Sequence, residues 1–301
     1  MYKPICIDIP DDFEKLQACL YTILDNSPFI RKNIYIKDYD FTDHQRHILN
    51  MIYPVDYVNI CDGNYIVVND LQSNSIFSIE KIAVVVHLHY EEFFDEIMKQ
   101  LEQLSVRYVV DIFMYVTNDI FENINCKPKE QYNSNLTVIP TENLGRDIRS
   151  FLLWIDKGVY SDYDAILKIH GKRTTYLHQN WRQVMLADLI NSEKNHFKYM
   201  LSENVHISGP VKFEMSVKYK NTTNTYSMDR IIKHVTTQPI DQFNFYAGTM
   251  FWCSSVYCKR LHDILNDAPE LYNKFEPEPL LADGTMAHAW ERVLSNITRW
   301  C

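Results

Sequence analysis

One segment constrains the fold of this chain more than any other, because residues 81–119 alternate between strand and helix patterns. KIAVVVHLHY is a continuous apolar run that ends in polar residues, and YVVDIFMYVTND is a second run of the same kind. Between them, EEFFDEIMKQLEQL has apolar residues at helical spacing. A strand, a helix and a strand in this order predict two parallel strands. The segment therefore predicts the opening of a doubly wound, mostly parallel α/β sheet flanked by helices.

The alternation continues to residue 301. Further strands are predicted at 136–141, 163–173 and 243–252. Helices are predicted at 149–160, 180–190, 256–265 and 283–297. Polar residues stand at or near the ends of these strands, and ligands of open α/β sheets bind beyond the carboxyl ends of strands. The sequence therefore predicts a ligand site at the polar strand ends.

Residues 1–78 predict a small separate α/β unit, whose sequence carries no catalytic pattern. Its predicted helices are 11–26 and 43–53, and its predicted strands are 32–40 and 65–70. The polar stretch Gln72–Ser78 is a candidate linker. We therefore expect two domains, 1–78 and 81–301.

Charge and cysteine content narrow the function class. The formal net charge of −9 argues against sequence-independent nucleic-acid binding, which needs an excess of cations. Seven cysteines with no CxxC pair indicate a reducing compartment rather than a disulfide framework. The N-terminus lacks a signal-peptide core, and no apolar run approaches the roughly 18 residues of a membrane span. We expect a cytoplasmic protein, and a peripheral position at the cytoplasmic face of the inner membrane stays open.

Glycine is scarce, with seven residues in 301 where average usage gives roughly 20. Such a chain is expected to keep glycines whose backbone freedom or missing side chain is needed. Five of the seven lie in polar motifs, and these are Gly145, Gly171, Gly209, Gly248 and Gly284.

Two of these motifs suit the binding of a diphosphate. Asn143–Asp147, NLGRD, lies between a strand and a helix, and a helix N-terminus favours anions. Arg146 is placed to hold a phosphate, and Asp147 to cap the helix or to accept from a ribose or sugar hydroxyl. Lys168–Arg173, KIHGKR, packs three cations and a histidine around a glycine at a strand end. NLGRD alone also fits a capped helix start with a surface ion pair, and KIHGKR alone also fits an ordinary solvated basic turn.

His87 and His89 alternate on one strand and are expected to share a face. A metal pair and two structural histidines both remain open for them. The complete set of candidate donor-binding residues is His87, His89, Asn118, Asn143, Gly145, Arg146, Asp147, Lys168, His170, Lys172 and Arg292.

The last predicted helix opens with a dense group of catalytic residue types, DGTMAHAWER, at 283–292. Asp283 is interpreted as an N-cap or an acid/base group, and His288 and Glu291 follow one turn apart. The candidate catalytic residues are Asp283, Glu291 and His288. In the predicted strand before this helix, a glycine beside an exposed aromatic ring suits a sugar face, so the candidate sugar or acceptor pocket is Tyr246, Gly248, Thr249 and Trp252.

These blocks, in this order, resemble the rhamnan synthesis protein F family of bacterial polysaccharide glycosyltransferases. The resemblance rests on VVVHLHY, NLGRDI, YDAILKIHGKR, the ISGP segment, YAGTMFW and DGTMAHAWER, and covers roughly residues 81–301. It implies a GT-A-like fold and the transfer of a sugar from a nucleotide donor to an O-antigen, capsule or rhamnan. The implied partners are a nucleotide-sugar donor and a glycan or lipid-linked glycan acceptor, with other domains of a longer protein left open.

One departure from the resemblance concerns metal. GT-A enzymes usually carry an Asp-x-Asp pair at the strand end where this chain has KIHGKR, and those carboxylates hold a divalent ion. Lys168, Lys172 or Arg173 are expected to replace that ion. No cofactor is therefore expected, although Mg²⁺ or Mn²⁺ with His170 as a ligand stays open. Two other functions remain as alternatives: a non-catalytic glycan- or nucleotide-sugar-binding subunit, and a metal-dependent hydrolase using His87, His89, His170 and Asp283.

Overall fold

The computed structural model describes residues 79–129, 132–171, 181–202, 205–219, 222–276 and 283–300, together with four short strands within the first 78 residues. The contacts within the chain divide it into two compact units, Met1–Ser78 and Ile79–Cys301.

The first unit contains a four-stranded sheet. Its strands are β1 (Ile5–Ile7), β2 (Ile34–Lys37), β3 (Val58–Cys61) and β4 (Tyr65–Val68). They lie in the order β1-β2-β4-β3, with β1 and β2 parallel and the other two pairings antiparallel. The strands predicted at 32–40 and 65–70 are confirmed by β2 and β4. The predicted helices and the candidate linker lie outside the described residues.

The second unit is built on a six-stranded sheet. Its strands are β5 (Lys81–Leu88), β6 (Val109–Thr117), β7 (Asn135–Thr141), β8 (Ala165–Gly171), β9 (Ile207–Ser208) and, later in the chain, β12 (Phe251–Cys253). They lie in the order β7-β6-β5-β8-β12-β9. The first four are parallel to one another, whereas β12 runs antiparallel to β8 and to β9. The predicted mostly parallel α/β sheet is therefore confirmed.

Helices cover both faces of this sheet. They are α1 (Phe94–Ser105), α2 (Phe121–Asn125), α3 (Arg146–Asp156), α4 (Trp181–Asn191), α5 (Glu193–Ser202), α6 (Thr225–Val235), α7 (Ser255–Asp267), α8 (Glu270–Asn273) and α9 (Met286–Leu294). None of the helices in the described ranges is both long and apolar enough to cross a bilayer.

The strand alternation sorts the core into two layers. In β5, Val84 and Val86 pack with residues of α1, α2, α4 and α5. Ala83 and Val85 pack on the other face with residues of α3, α6, α7 and α9. Because successive side chains of a strand point to opposite faces, His87 belongs to the face that α3 and α9 cover.

The strand order reverses between β5 and β8. From β5 the chain proceeds outward to β6 and then β7, and it returns through α3 to β8 on the other side of β5. His87 lies beside His170 in the register of this central pair. Such a reversal is the switch point at which open α/β sheets bind ligands.

The continuous strand predicted at 243–252 is wrong. Residues Gln242–Tyr246 form β11, which pairs with β10 (Glu214–Lys218) in a separate two-stranded sheet. A turn follows, in which Gly248 has φ 85° and Thr249 has φ 53°, and only then does β12 enter the central sheet. A positive φ cannot continue a strand. The turn precedes an antiparallel strand, so it nevertheless lies at the carboxyl edge of the parallel strands.

Candidate functional site

A small open cleft lies at the carboxyl edge of the sheet, where the start of α3, the turn before β12 and α9 meet. Its lining residues are Arg146, Asp147, Ile148, Gly248, Thr249, Ala287, His288 and Glu291. Six of these eight positions were candidates from the sequence. Ile148 and Ala287 were not, because an apolar helix residue gives no signal that distinguishes a cleft wall from the core.

The start of α3 reaches the cleft through a tight turn. Gly145 has φ 63°, and a Cβ atom at this position would lie 2.5 Å from Cγ of Phe275. Both the backbone conformation and the close approach therefore require glycine. Gly145 caps α3 without a side-chain hydrogen bond, and the first three residues of α3, Arg146–Ile148, line the cleft. The interpretation of Asp147 as the helix cap is wrong.

Helix α9 supplies the opposite wall. Thr285 is its N-cap, since the Thr285 hydroxyl accepts from the backbone N–H of His288. The interpretation of Asp283 as the N-cap is therefore wrong by two residues. His288 and Glu291 lie one turn apart on α9 and both line the cleft. Thr285 was missed as a site residue, although a Thr directly before an apolar run is an N-cap signal.

Arg146 and His288 meet across the cleft. An Nη of Arg146 donates to Nε2 of His288 across 2.9 Å, and Nδ1 of His288 lies 2.8 Å from Oγ1 of Thr285. A guanidinium only donates, so Nε2 must accept and the ring proton must be on Nδ1. Burial, together with the Arg146 charge, lowers the pKa of His288. His288 is therefore a neutral imidazole in this arrangement.

Lys168 lies beneath the cleft in a buried ion pair. Its ammonium group is 2.5 Å from Oδ2 of Asp147, 2.9 Å from the carbonyl oxygen of Thr249 and 3.1 Å from Oγ1 of Thr249. The side chain of Lys168 is 1% exposed. Burial alone would raise the pKa of Asp147, but nearby His170 and Lys168 hold it well below its usual range. Lys168 was expected to meet a diphosphate, and the structure places it below the cleft lining instead.

His170 and Glu291 both bind the glycine of the turn. Nε2 of His170 is 2.6 Å from the carbonyl oxygen of Gly248, to which it donates. The N–H of Gly248 donates to Oε1 of Glu291 across 2.8 Å. Two residues that are 121 positions apart in the sequence thus contact the backbone of the same residue, Gly248.

His87 and His89 lie at the end of β5 and make separate contacts. Nδ1 of His87 is 2.8 Å from Oγ of Ser150, and Nδ1 of His89 is 3.1 Å from Oγ1 of Thr117. Burial lowers the pKa of His87 to about 3. Neither histidine lines the cleft. Ser150 was not anticipated, since nothing in the sequence pairs it with a residue 63 positions away.

Asp283 is held by three neighbours outside the cleft lining. Its carboxylate accepts from Thr223 (3.2 Å), Asn224 (2.7 Å) and Arg292 (3.3 Å). Burial would raise its pKa, but the hydrogen bond from Asn224 and the charge of Arg292 hold the pKa of Asp283 below its usual value. Asp283 and Arg292 therefore form a charge-paired group beside the cleft.

Two aromatic residues expected in the sugar pocket, Tyr246 and Trp252, are buried, so the expectation that they line an open pocket is wrong. Trp252 is 0% exposed, and its indole N–H donates to the carbonyl oxygen of Leu189. Strand alternation turns Trp252 toward the face of α4 and α5, opposite to the cleft. Tyr246 is also buried, and its ring lies against Gly209.

Of the remaining candidates, some lie outside the cleft lining and others lie outside the described residues. Asn118 and Asn143 are exposed at the carboxyl ends of β6 and β7, and neither lines the cleft. Lys172 and Arg173 lie outside the described residues. Gly248 and Thr249 line the cleft.

The carboxylates of the cleft lining are engaged by other groups of the protein. Within the described ranges, no group of three or more His, Cys, Asp or Glu side chains converges. Oδ2 of Asp147 is already bound by Lys168, and Oε1 of Glu291 by the Gly248 amide. The three histidines proposed for a metal-dependent hydrolase instead contact Ser150, Thr117 and Gly248.

The second unit is thus an α/β unit with a cleft of acidic and basic side chains at the carboxyl edge of a mostly parallel sheet, the edge at which open α/β sheets bind ligands. The chain belongs to the rhamnan synthesis protein F family, whose profile matches residues 29–299. Membership connects the chain with the synthesis of rhamnan and related polysaccharides. The match begins at residue 29, so the expectation that the resemblance starts at about residue 81 is wrong for residues 29–80.

Two relatives are similar over most of the chain. The uncharacterized protein WxcX of Xanthomonas campestris pv. campestris strain B100 is 26% identical over 220 residues, which cover 70% of this chain and 30% of the relative. The protein of the same name from strain ATCC 33913 gives the same identity and coverage. The matched region thus spans about a third of the length of these relatives.

Proposed function

We propose that this chain is a glycosyltransferase domain that moves a sugar, rhamnose or another hexose, from a nucleotide-sugar donor to a bacterial cell-surface polysaccharide. The observation that carries the proposal is the convergence of Arg146, His288 and Glu291 in one cleft at the carboxyl edge of the sheet. Membership in a rhamnan synthesis family supports the substrate class.

The start of α3 and Arg146 form the binding site for the donor diphosphate in this proposal. The N–H groups of a helix N-terminus favour negative charge, and α3 begins in the cleft without a side-chain cap. Arg146 adds a guanidinium, which recognises phosphate oxygens with two parallel hydrogen bonds. The negative charge of Asp147 in the same wall is balanced by Lys168 behind it.

Glu291 is the proposed general base. Its Oε1 accepts from the Gly248 amide, whereas Oε2 has no hydrogen bond to any residue that the structure describes. In the proposed step, Glu291 takes the proton of the acceptor hydroxyl, and the acceptor oxygen bonds to the anomeric carbon. The bond from that carbon to the diphosphate oxygen breaks, and Arg146 and the start of α3 stabilise the charge on the leaving nucleoside diphosphate.

This assignment reverses the order expected for the two carboxylates, in which Asp283 came first. Asp283 accepts from Thr223, Asn224 and Arg292 and has a lowered pKa. A carboxylate so held is a weaker base. It also stands outside the cleft lining, whereas Glu291 is part of that lining.

The proposal uses no metal ion. The cationic group opposite the leaving diphosphate is Arg146, and the carboxylates of the cleft are engaged by Lys168 and by the Gly248 amide. We therefore expect turnover to persist in excess chelator.

The test combines donor binding with turnover. Purified protein is screened by thermal shift against thymidine, uridine and guanosine diphosphates and their sugar conjugates, and release of the nucleoside diphosphate is measured with and without chelator. A ligand that binds only the native state raises the melting temperature. If no nucleotide raises it and none is released, the proposal is wrong.

Two isosteric variants separate the carboxylates. Glu291→Gln is expected to bind the donor but to lose turnover by roughly 100-fold to 10,000-fold, the range for a general base. Asp283→Asn is expected to lower the melting temperature and to affect turnover far less. Donor binding without any turnover in the wild type would instead support a non-catalytic nucleotide-sugar-binding subunit.

A further inference from the structure

The turn before β12 has a backbone conformation that its own sequence does not favour. Gly248 and Thr249 have φ values of 85° and 53° in succession. Glycine adopts positive φ freely, but a β-branched residue such as Thr249 rarely does so. Such a conformation persists only where the surrounding structure holds it.

Two side chains of β8 hold this turn. Nζ of Lys168 donates to the carbonyl oxygen of Thr249 across 2.9 Å and to its Oγ1 across 3.1 Å. Nε2 of His170 donates to the carbonyl oxygen of Gly248 across 2.6 Å. Both carbonyl groups of the strained turn are therefore fixed by one strand of the central sheet.

The same contacts leave Lys168 no capacity for a phosphate. An ammonium group has three N–H donors, and Lys168 is surrounded by three acceptors on Asp147 and Thr249. Its side chain is buried beneath the turn. The role expected for it from the sequence, direct contact with the diphosphate, does not fit this position.

The fixed turn determines where the Gly248 amide points, and that amide donates to Oε1 of Glu291 across 2.8 Å. We infer that Lys168 and His170 are positioning residues, which hold the Gly248–Thr249 turn in its left-handed conformation so that the Gly248 amide orients the Glu291 carboxylate. This inference rests on the proposed role of Glu291 only for its effect on turnover. The structural effect, the loss of the amide–carboxylate contact, is independent of any activity.

His170 offers the sharper pair of variants, because a glutamine amide can place a donor near the position of Nε2. His170→Leu removes the donor to Gly248, and His170→Gln retains one. With the turn released, we expect kcat to fall by roughly 100-fold, as for a misplacement of about 1 Å, while the KM for the donor changes little. His170→Gln is expected to recover most of that loss.

Lys168→Met tests the second contact, and Thr249→Gly tests the strain. A glycine at position 249 adopts positive φ without the contacts from Lys168. Lys168→Met is therefore expected to lower kcat less in the Thr249→Gly background than in the wild-type background. Equal losses of kcat in both backgrounds would contradict the inference that Lys168 holds the turn in its left-handed conformation.

The crystal structures of the wild type, His170→Leu and His170→Gln give the readout that needs no turnover. We expect the Gly248 N to Glu291 Oε1 contact to be lost in His170→Leu and kept in His170→Gln. An unchanged turn and contact in His170→Leu would overturn the inference, even if the protein is an active transferase. Loss of the contact in a protein that releases no nucleotide would support the positioning and refute the proposed function.

Discussion

The Arg146 guanidinium and the Nε2 atom of His288 are joined by a hydrogen bond of 2.9 Å, in which the arginine is the donor. The arrangement requires a neutral imidazole, because a protonated ring has no acceptor for the guanidinium. The ring proton on Nδ1 faces Oγ1 of Thr285. His288 thus fixes Arg146 in the cleft only in its uncharged state.

This relationship predicts that nucleoside diphosphate affinity falls on acidification. Besides Arg146, the charged groups that face His288 are Asp283, Glu291 and Arg292. Burial and Arg146 lower the pKa of His288, so the ring becomes charged only at a pH below its usual value of about 6.5. Protonation then replaces the hydrogen bond with repulsion, and Arg146 loses its position. Calorimetric titration with a nucleoside diphosphate between about pH 5 and 8 measures the effect.

The matched control is His288→Gln, whose side-chain oxygen can accept from Arg146 at every pH. The titration of the ligand phosphate is common to both proteins, so the comparison isolates the histidine. A wild-type affinity that varies with pH no more than that of His288→Gln would contradict the prediction.

Acid stability is predicted to depend on His87. Burial is the main cause that lowers its pKa to about 3, with His170, Lys168 and His89 acting in the same direction and Asp147 acting against them. Below the usual histidine pKa the unfolded chain binds a proton that the folded chain does not, so stability is lost as the pH falls from about 6.5 toward 3. The full loss is several kcal/mol as an order of magnitude.

His87→Asn tests this assignment, because an amide can keep a hydrogen bond to Ser150 without titrating. Urea unfolding at a series of pH values gives the free energy of unfolding of each protein. The variant is expected to lose less stability than the wild type between pH 6.5 and 4. Parallel curves would show that other groups cause the acid sensitivity.

The sequence predicted the polar strand ends and the helix that follows Asp283, α9, because those features are local. The alternation from Lys81 to Thr117 specifies strand, helix and strand, and the structure has β5, α1 and β6 in that order. The role of Lys168 was not predictable, because its partner Asp147 lies on another element and nothing local indicates the pairing. The turn at Thr249 was missed because its left-handed conformation depends on contacts from β8, whereas its own sequence resembles a strand.

The glycine scarcity leads to a prediction about packing. At Gly209 a Cβ atom would lie 2.5 Å from Cγ of the buried Tyr246 ring, whereas at Gly158 none of the described atoms lies within 4 Å. Gly209→Ala is therefore expected to destabilise by overpacking, about 1–3 kcal/mol. Gly158 has φ 71°, so Gly158→Ala reports backbone strain alone, about 1–2 kcal/mol.

Thermal and urea unfolding of the two glycine variants measure the difference. A crystal structure of Gly209→Ala is expected to show Tyr246 displaced, and with it the contact of its hydroxyl with Arg299. If Tyr246 keeps its place and stability is unchanged, the close packing at Gly209 is not required.

Trp252 is a core residue, and it does not line the cleft. Its indole N–H donates to Leu189 across 2.8 Å, so Trp252→Phe loses packing and leaves a buried carbonyl without its donor. The buried Trp154 is the matched control, because its indole N–H has no partner among the described residues. Trp252→Phe is expected to be less stable than Trp154→Phe by about 1 kcal/mol, the net contribution of one hydrogen bond. Urea unfolding measures that difference, and the donor KM of Trp252→Phe is expected to match the wild type. A raised KM in a variant of undiminished stability would return Trp252 to the sugar pocket.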